Sequence, residues 1–300
     1  MLIKPHLEKL GELSVHNKQG LSPEELVALA VGSDILIIGP SGIKNITKEI
    51  LDSLPKLKHL ALLTVGYDWV DVPHAKEKGI VISTIKVANA ESVAEHTWGM
   101  ILDLTKRITE FDRDARTRGA YKFTDYKGKE VFGKTLGIIG LGDIGKKVAR
   151  VAAGFNMRVI GVNKSNHPVD GVEIVLLDQL LHESDVIAIC APLTRETDDM
   201  IGAEEIAKMK AGVIVVNTSR EKIVHKAAII EAVQSGKLFG YGIETTIMTP
   251  IPSDDPYFFQ PRILVSPHNA FNTEEADQKS FELIVENVKA WITGHPQDIV

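Results

Sequence analysis

Lys134-Thr-Leu-Gly-Ile-Ile139, Gly140-Leu-Gly142-Asp-Ile-Gly145 and Lys146-Lys-Val-Ala-Arg-Val-Ala-Ala153 follow one another without a gap, and their order decides the fold. The first stretch has the length and apolar character of a buried strand. The last has helical periodicity, and three glycines lie at the join. The first glycine permits a tight turn, the second lets backbone approach a pyrophosphate, and the third lets helix and strand pack closely. The helix start presents free N–H groups and a partial positive charge to phosphates. A second strand pattern at Arg158–Val162 completes a βαβ unit. In that setting the loop predicts a bound dinucleotide, the alternative being a glycine turn without a ligand. Its candidate cofactor contacts are Gly140, Gly142, Asp143, Ile144 and Gly145.

The same alternation extends outward in both directions. Short apolar runs at 34–38, 59–64 and 79–83 read as strands of an earlier βα block. Ser22-Pro23 marks a helix start within it. A long helical pattern runs from about Ser92 to Arg118, and a last one from about Asn272 to Thr293. Further strands are expected at 186–190, 213–217 and 263–265. Runs of this kind argue for parallel α/β sheets. The expected architecture is two doubly wound domains. Residues 93–271 form a Rossmann nucleotide-binding domain, inserted in a flavodoxin-like substrate domain built from 1–92 and 272–300.

Composition narrows the class. Of 300 residues, 44% are hydrophobic and 25% charged, as in ordinary globular proteins. The net charge of −6 gives no sign of a nucleic-acid partner. No apolar run is long enough for a bilayer span, so no membrane partner is expected. One cysteine, Cys190, excludes an intrachain disulfide and a cysteine-rich metal site. No metal ligand set is expected, and a reducing, cytoplasmic setting is.

The residue ending the second strand of a dinucleotide fold distinguishes NAD from NADP. An acidic side chain there binds the ribose 2′-hydroxyl and repels a 2′-phosphate. Here the position is Asn163, followed by Lys164 and Ser165. Lys164 can pair with a phosphate and Ser165 can hydrogen-bond to it. The reading leans to NADP, or use of both cofactors; the alternative is a solvated loop lysine. Two further strand ends carry chemistry. Val213-Ile-Val-Val-Asn-Thr-Ser-Arg220 ends in an arginine able to clamp a carboxylate with two bonds. Ile263-Leu-Val-Ser-Pro-His268 ends in a histidine able to exchange a proton near neutrality.

Taken together, Thr64-Val-Gly-Tyr-Asp68, Ser92-Val-Ala-Glu-His96, the glycine loop, Ser184-Asp-Val-Ile187, Ala191-Pro-Leu-Thr-Arg-Glu-Thr197, Val216-Asn-Thr-Ser-Arg220 and Ser266-Pro-His-Asn-Ala270 resemble the D-isomer-specific 2-hydroxyacid dehydrogenases over nearly the whole chain. The resemblance implies hydride transfer between NAD(P)H and the α-carbon of a small 2-oxo acid, of the glyoxylate, hydroxypyruvate or phosphohydroxypyruvate class. It implies Arg220 on the substrate carboxylate, with Val65 and Gly66 as further substrate contacts, and His268 as proton donor and acceptor. Pro192, Thr197, Thr218 and Ser219 would line the cofactor. Glu244 stands where the family usually has an aspartate facing the carboxamide. A homodimer through the nucleotide domains is also implied. His96 reads as a packed structural histidine, and Cys190 as a core residue at a strand end.

The chain departs from the family's pattern in four further places. Thr249 stands where the family has the glutamate that pairs with the catalytic histidine. A carboxylate there raises the histidine pKa and fixes the ring; a hydroxyl does only the second, weakly. Reduction that is slower at neutral pH and faster in mild acid is therefore expected. The rival from another class is a dinucleotide-sensing binding protein with little turnover. Glu221 replaces a usual glycine, and Lys86 is either a contact for an anionic substrate group or a solvated loop lysine. The family's opening strand has only Leu2-Ile3 to stand for it.

Overall fold

The computed structural model describes residues 3–118, 122–164, 167–244 and 252–300. They divide into two compact units, Met1–Asn89 with Asn272–Val300, and Ala90–Phe271.

The smaller unit holds a parallel sheet of β1 (Ile35–Ile38), β2 (His59–Leu62) and β3 (Val81–Thr84), in that spatial order. Leu36, Leu60 and Ile82 stand side by side across it. Every residue of β2 is buried, as an apolar strand covered on both faces requires. Ser22-Pro23 opens the helix Pro23–Ala30 as expected. The Ser22 hydroxyl accepts from the Glu25 N–H, and the Glu25 carboxylate accepts from the Ser22 N–H. The expectation of a parallel α/β unit is met. Lys4–Leu7 is a helical turn with Pro5 in its first positions, and a proline cannot donate to a strand ladder. Among the described residues, the small sheet therefore has three strands.

His59 in β2 is fully buried, stacked 5.3 Å from the Trp291 ring. Its Nε2 lies 2.9 Å from the Ser83 hydroxyl, and Nδ1 is buried with no hydrogen-bond partner among the described residues. Burial pushes the imidazole down from 6.5 to about 4. The unfolded chain therefore takes up this proton first as pH falls. Stability from this site is complete above the unfolded value and is lost between it and the folded value. The expected loss is about 3 kcal/mol between those two pH values. Denaturant midpoints over that range check it, and a His59→Gln variant should flatten the dependence.

The larger unit carries β4 (Thr135–Ile139), β5 (Arg158–Val162), β6 (Glu173–Ile174), β7 (Val186–Ile189), β8 (Val213–Asn217), β9 (Leu238–Glu244) and β10 (Ile263–Ser266). All pairings are parallel, in the order β10-β9-β8-β7-β4-β5-β6. The chain winds one way from β4 through β5 to β6, then returns and winds the other way from β7. Beside β4 is thus the topological switch point where open α/β sheets bind ligands, at the strand C-termini. Layers of Ile, Val and Leu cover both faces, with Ile138, Ile187, Val215 and Tyr241 fully buried.

The long helix expected from Ser92 to Arg118 is two helices, Ala90–Lys106 and Ile108–Arg118. Arg107 between them is left-handed, with φ 58°. Its guanidinium takes both Glu110 carboxylate oxygens at 2.7 and 2.6 Å, and the Asp103 carboxylate accepts from the Thr109 N–H at 2.7 Å. Such a conformation costs about 1–3 kcal/mol in a non-glycine residue, which these charge-assisted bonds offset. Among the described residues, no helix is long and apolar enough to cross a membrane.

Candidate active site

The glycine loop joins β4 to the helix Asp143–Ala152, with Gly142 at its N-cap. Gly140 has φ 96°, and a Cβ there would meet the Ala191 nitrogen at 2.5 Å. A Cβ on Gly145 would lie 2.1 Å from the Gly140 carbonyl oxygen. These two glycines are imposed by the turn and by helix–strand contact. Gly142 differs: among the described residues, nothing lies within 4 Å of its would-be Cβ. A glycine demanded by neither strain nor packing leaves open space against the first N–H groups of a ten-residue helix. That space fits a pyrophosphate on the helix N-terminus. Asp143 and Ile144 form the first turn of this helix.

Asn163 and Lys164 follow β5, at the same sheet edge. The Lys164 ammonium holds both oxygens of Glu196, at 3.1 and 2.8 Å. Ser165 lies outside the described residues, as does Thr249. Pro192 and Thr197 belong to the loop after β7. The Thr197 hydroxyl donates to the Pro192 carbonyl at 2.7 Å and accepts from the Thr194 N–H at 2.8 Å, which closes the loop. Cys190 ends β7 half-buried, and burial pushes its thiol up to about 12.

Beyond β8 the turn is held by the buried Asn217. Its amide donates to the Arg220 carbonyl at 2.8 Å and accepts from the Ser219 N–H at 3.0 Å. Thr218 lies 2.9 Å from the Thr97 hydroxyl, which itself donates to the Val93 carbonyl. Thr218 is therefore the donor of that pair. Arg220 leaves this turn partly buried, its Nη1 3.1 Å from the Ser219 carbonyl.

β9 and β10 bring the remaining groups together. Glu244 ends β9 opposite Ser266 of β10 and is 3% exposed. The Ser266 hydroxyl donates to its Oε1 at 2.5 Å. The N–H groups of Asn269 and Ala270 donate to its two oxygens at 3.2 and 3.4 Å. His268 lies within this short loop in the left-handed region, φ 54°. Its Nδ1 is 3.8 Å from the Glu244 carboxylate, and Nε2 of His96 is 3.5 Å from it on another side. Among the described residues, the buried His96 Nε2 makes no hydrogen bond, and the Glu244 carboxylate at 3.5 Å offsets its burial. Glu244, expected as a cofactor contact, is thus surrounded by the His268 loop and His96. Sequence reading did not foresee the link among these three, although His96 was in view as part of Ser92–His96.

Val65 and Gly66 belong to the smaller unit, in the bend after β2. Val65 packs against the apolar cluster that includes Ala61 and Ile85, and the Gly66 carbonyl accepts from the Trp69 indole at 3.0 Å. Lys86 donates to the Ile299 carbonyl at 3.0 Å.

A doubly wound parallel sheet, a glycine loop shaped for a pyrophosphate, and arginine and histidine at the strand ends define a nicotinamide-dependent oxidoreductase. The family described as D-isomer specific 2-hydroxyacid dehydrogenase, NAD binding domain, matches residues 98–270. Glyoxylate reductase of Korarchaeum cryptofilum (strain OPF8) is 36% identical over 264 residues, covering 85% of this chain and 79% of that protein. Among solved structures, acyclic imino acid reductase (Bsp5) in complex with NADPH and D-Arg superposes with a TM-score of 0.93, at 25% identity over 100% of this chain and 95% of that one. D-lactate dehydrogenase from Aquifex aeolicus, complexed with NAD and lactic acid, gives 0.86 at 28% identity over 98% and 92%. The chain belongs to the D-isomer-specific 2-hydroxyacid dehydrogenases, and it acts with a nicotinamide dinucleotide on the CH–OH group of 2-hydroxy acids.

Proposed function

We propose that this enzyme reduces small 2-oxo acids, with glyoxylate and hydroxypyruvate as first candidates, and that Arg220 and His268 carry the reaction. The supporting observation is a shared edge: Arg220 follows β8 and His268 follows β10, at the same strand ends as the glycine loop. Ala90–Phe271 serves as the nucleotide-binding unit and the smaller unit as the substrate-binding one, with Val65 and Gly66 as its substrate contacts. When bound, the reduced nicotinamide supplies a hydride to the substrate's α-carbon. Arg220 holds the carboxylate in a two-bond clamp, which fixes the carbonyl's orientation. His268 gives a proton to the carbonyl oxygen as that oxygen gains charge, and in the reverse direction takes it back. The test is loss of NADPH or NADH absorbance with glyoxylate, hydroxypyruvate and larger 2-oxo acids. Cofactor binding without oxidation on any of them would overturn the reading and leave a dinucleotide sensor.

NADP is the preferred cofactor in this proposal. Nothing acidic follows β5 directly, and the Lys164–Glu196 pair is exposed on both sides. Such a pair holds by about 0–1 kcal/mol, so a 2′-phosphate can displace Glu196 from the lysine. Glu196→Gln is expected to lower KM for NADPH by up to about fivefold and leave that for NADH nearly unchanged, since about 1.4 kcal/mol is tenfold and the pair holds by at most about 1 kcal/mol. Equal changes for both cofactors would remove Lys164 from the phosphate site. The family likeness further supports a homodimer, which a light-scattering mass of twice the chain would bear out. The single cysteine supports a reducing, cytoplasmic setting.

A further inference from the structure

We propose that Glu244 is the positioning carboxylate of His268 in this chain, doing what the family's glutamate does where this chain has Thr249, with His96 sharing the same carboxylate. This rests on the reading of His268 as proton carrier. It departs from the expectation that Glu244 faces the carboxamide.

Three observations support it. First, both Glu244 oxygens turn into the 266–270 loop, accepting from the Ser266 hydroxyl and from the Asn269 and Ala270 N–H groups. The usual aspartate is one carbon–carbon bond shorter, about 1.5 Å. The extra methylene is what lets the carboxylate reach beneath the loop. Second, these three donors bracket His268 on both sides in sequence. They pin a residue held at φ 54°, a conformation that costs about 1–3 kcal/mol unless its surroundings determine it. Third, the carboxylate meets Nδ1 of His268 at 3.8 Å. That separation is of the kind that shortens when a site closes on its ligands. Nδ1 on the carboxylate leaves Nε2 as the nitrogen that delivers the proton. The proton lost from Nε2 goes to the substrate oxygen; the Nδ1 proton stays on the ring, and none is transferred to Glu244.

Among the described residues, two imidazoles from different elements face Glu244. His96 comes from the helix Ala90–Lys106 and His268 from the loop after β10. In the reduced-cofactor direction the protonated ring is the productive form, and a neighbouring carboxylate favours it. Glu244 thus keeps a carboxylate at the family's aspartate position and, one methylene longer, brings it to 3.8 Å from His268 Nδ1.

The test uses the whole chain without cofactor. Ring resonances of His268 and His96 are followed against pH by NMR in wild type, Glu244→Gln and Glu244→Asp. Glutamine keeps an acceptor for the loop and removes the charge. We expect the His268 midpoint to move toward acid by one pH unit or more in Glu244→Gln. The falling limb of kcat for 2-oxo acid reduction should move with it, while KM for the cofactor changes less than threefold. Thr249→Glu added to Glu244→Gln should restore the limb. An unchanged His268 midpoint in Glu244→Gln overturns the proposal. If Glu244→Gln does not fold, the wild-type Glu244 carboxyl carbon resonance decides. Movement at the His268 midpoint supports the coupling, and silence there overturns it. An NMR shift with no turnover on any 2-oxo acid leaves the coupling standing and defeats the functional reading instead.

Discussion

His268→Asn is expected to lower kcat for 2-oxo acid reduction by about 10²–10⁴-fold, the range a positioned general acid supplies. Asparagine is the informative replacement because the residue sits at φ 54°, and asparagine tolerates that region better than other side chains. The Asn269 and Ala270 N–H groups should then keep their bonds to Glu244. Thermal midpoint and cofactor Kd are expected to stay at wild-type values. Loss of rate would then report the proton and not the loop. A kcat within threefold of wild type would assign proton transfer to another group.

The second large effect concerns the glycine loop. Gly145→Ala places a methyl group 2.1 Å from the Gly140 carbonyl oxygen. Alanine is the better helix former by about 1 kcal/mol, which alone predicts a gain. The clash acts against backbone, which cannot rotate aside as a side chain can, and overpacking of this kind costs about 1–3 kcal/mol. Relief requires the helix Asp143–Ala152 to lift off β4, carrying its N–H groups with it. We expect a lower thermal midpoint and cofactor affinity reduced more than tenfold. Gly142→Ala is the counterpart. Its methyl meets nothing among the described residues, so stability should be unchanged, while the same methyl occupies the space left for the pyrophosphate. Cofactor affinity should fall about as far. Calorimetric titration with NADPH separates the two, and undiminished binding by Gly142→Ala would place the phosphates elsewhere.

The parts legible in the sequence were those whose physics is local. The glycine loop, the Ser22-Pro23 helix start and the buried strands each carry their cause within a few residues. The helix break at Arg107 does not: apolar spacing continues through it, and the break depends on Glu110 meeting the Arg107 guanidinium and Asp103 meeting the Thr109 N–H, pairings that spacing alone does not place. The Lys4–Leu7 turn follows Leu2-Ile3, the one stretch able to stand for the family's opening strand, and Pro5 favours a helix start there. The most consequential gap was at Glu244. Motif matching assigned it the aspartate's role, and Thr249 then read as the loss of a carboxylate. The parallel register of Glu244 with Ser266 brings a carboxylate under the histidine loop, and this pairing between strands is not written in either stretch alone. Strand ends were predictable as a group; which of their side chains touch was not.

Cys190 has a practical consequence. It is the chain's single thiol, at the end of β7 beside the Gly140 turn, and burial holds it protonated with a pKa of about 12. The nucleophile toward alkylating reagents and peroxides is the thiolate, which is scarce here at neutral pH. The native enzyme should therefore resist iodoacetamide and mild peroxide, and label at this sulfur only on unfolding. Its alkylation rate offers a clock for local opening at the nucleotide loop, and bound cofactor should slow that clock.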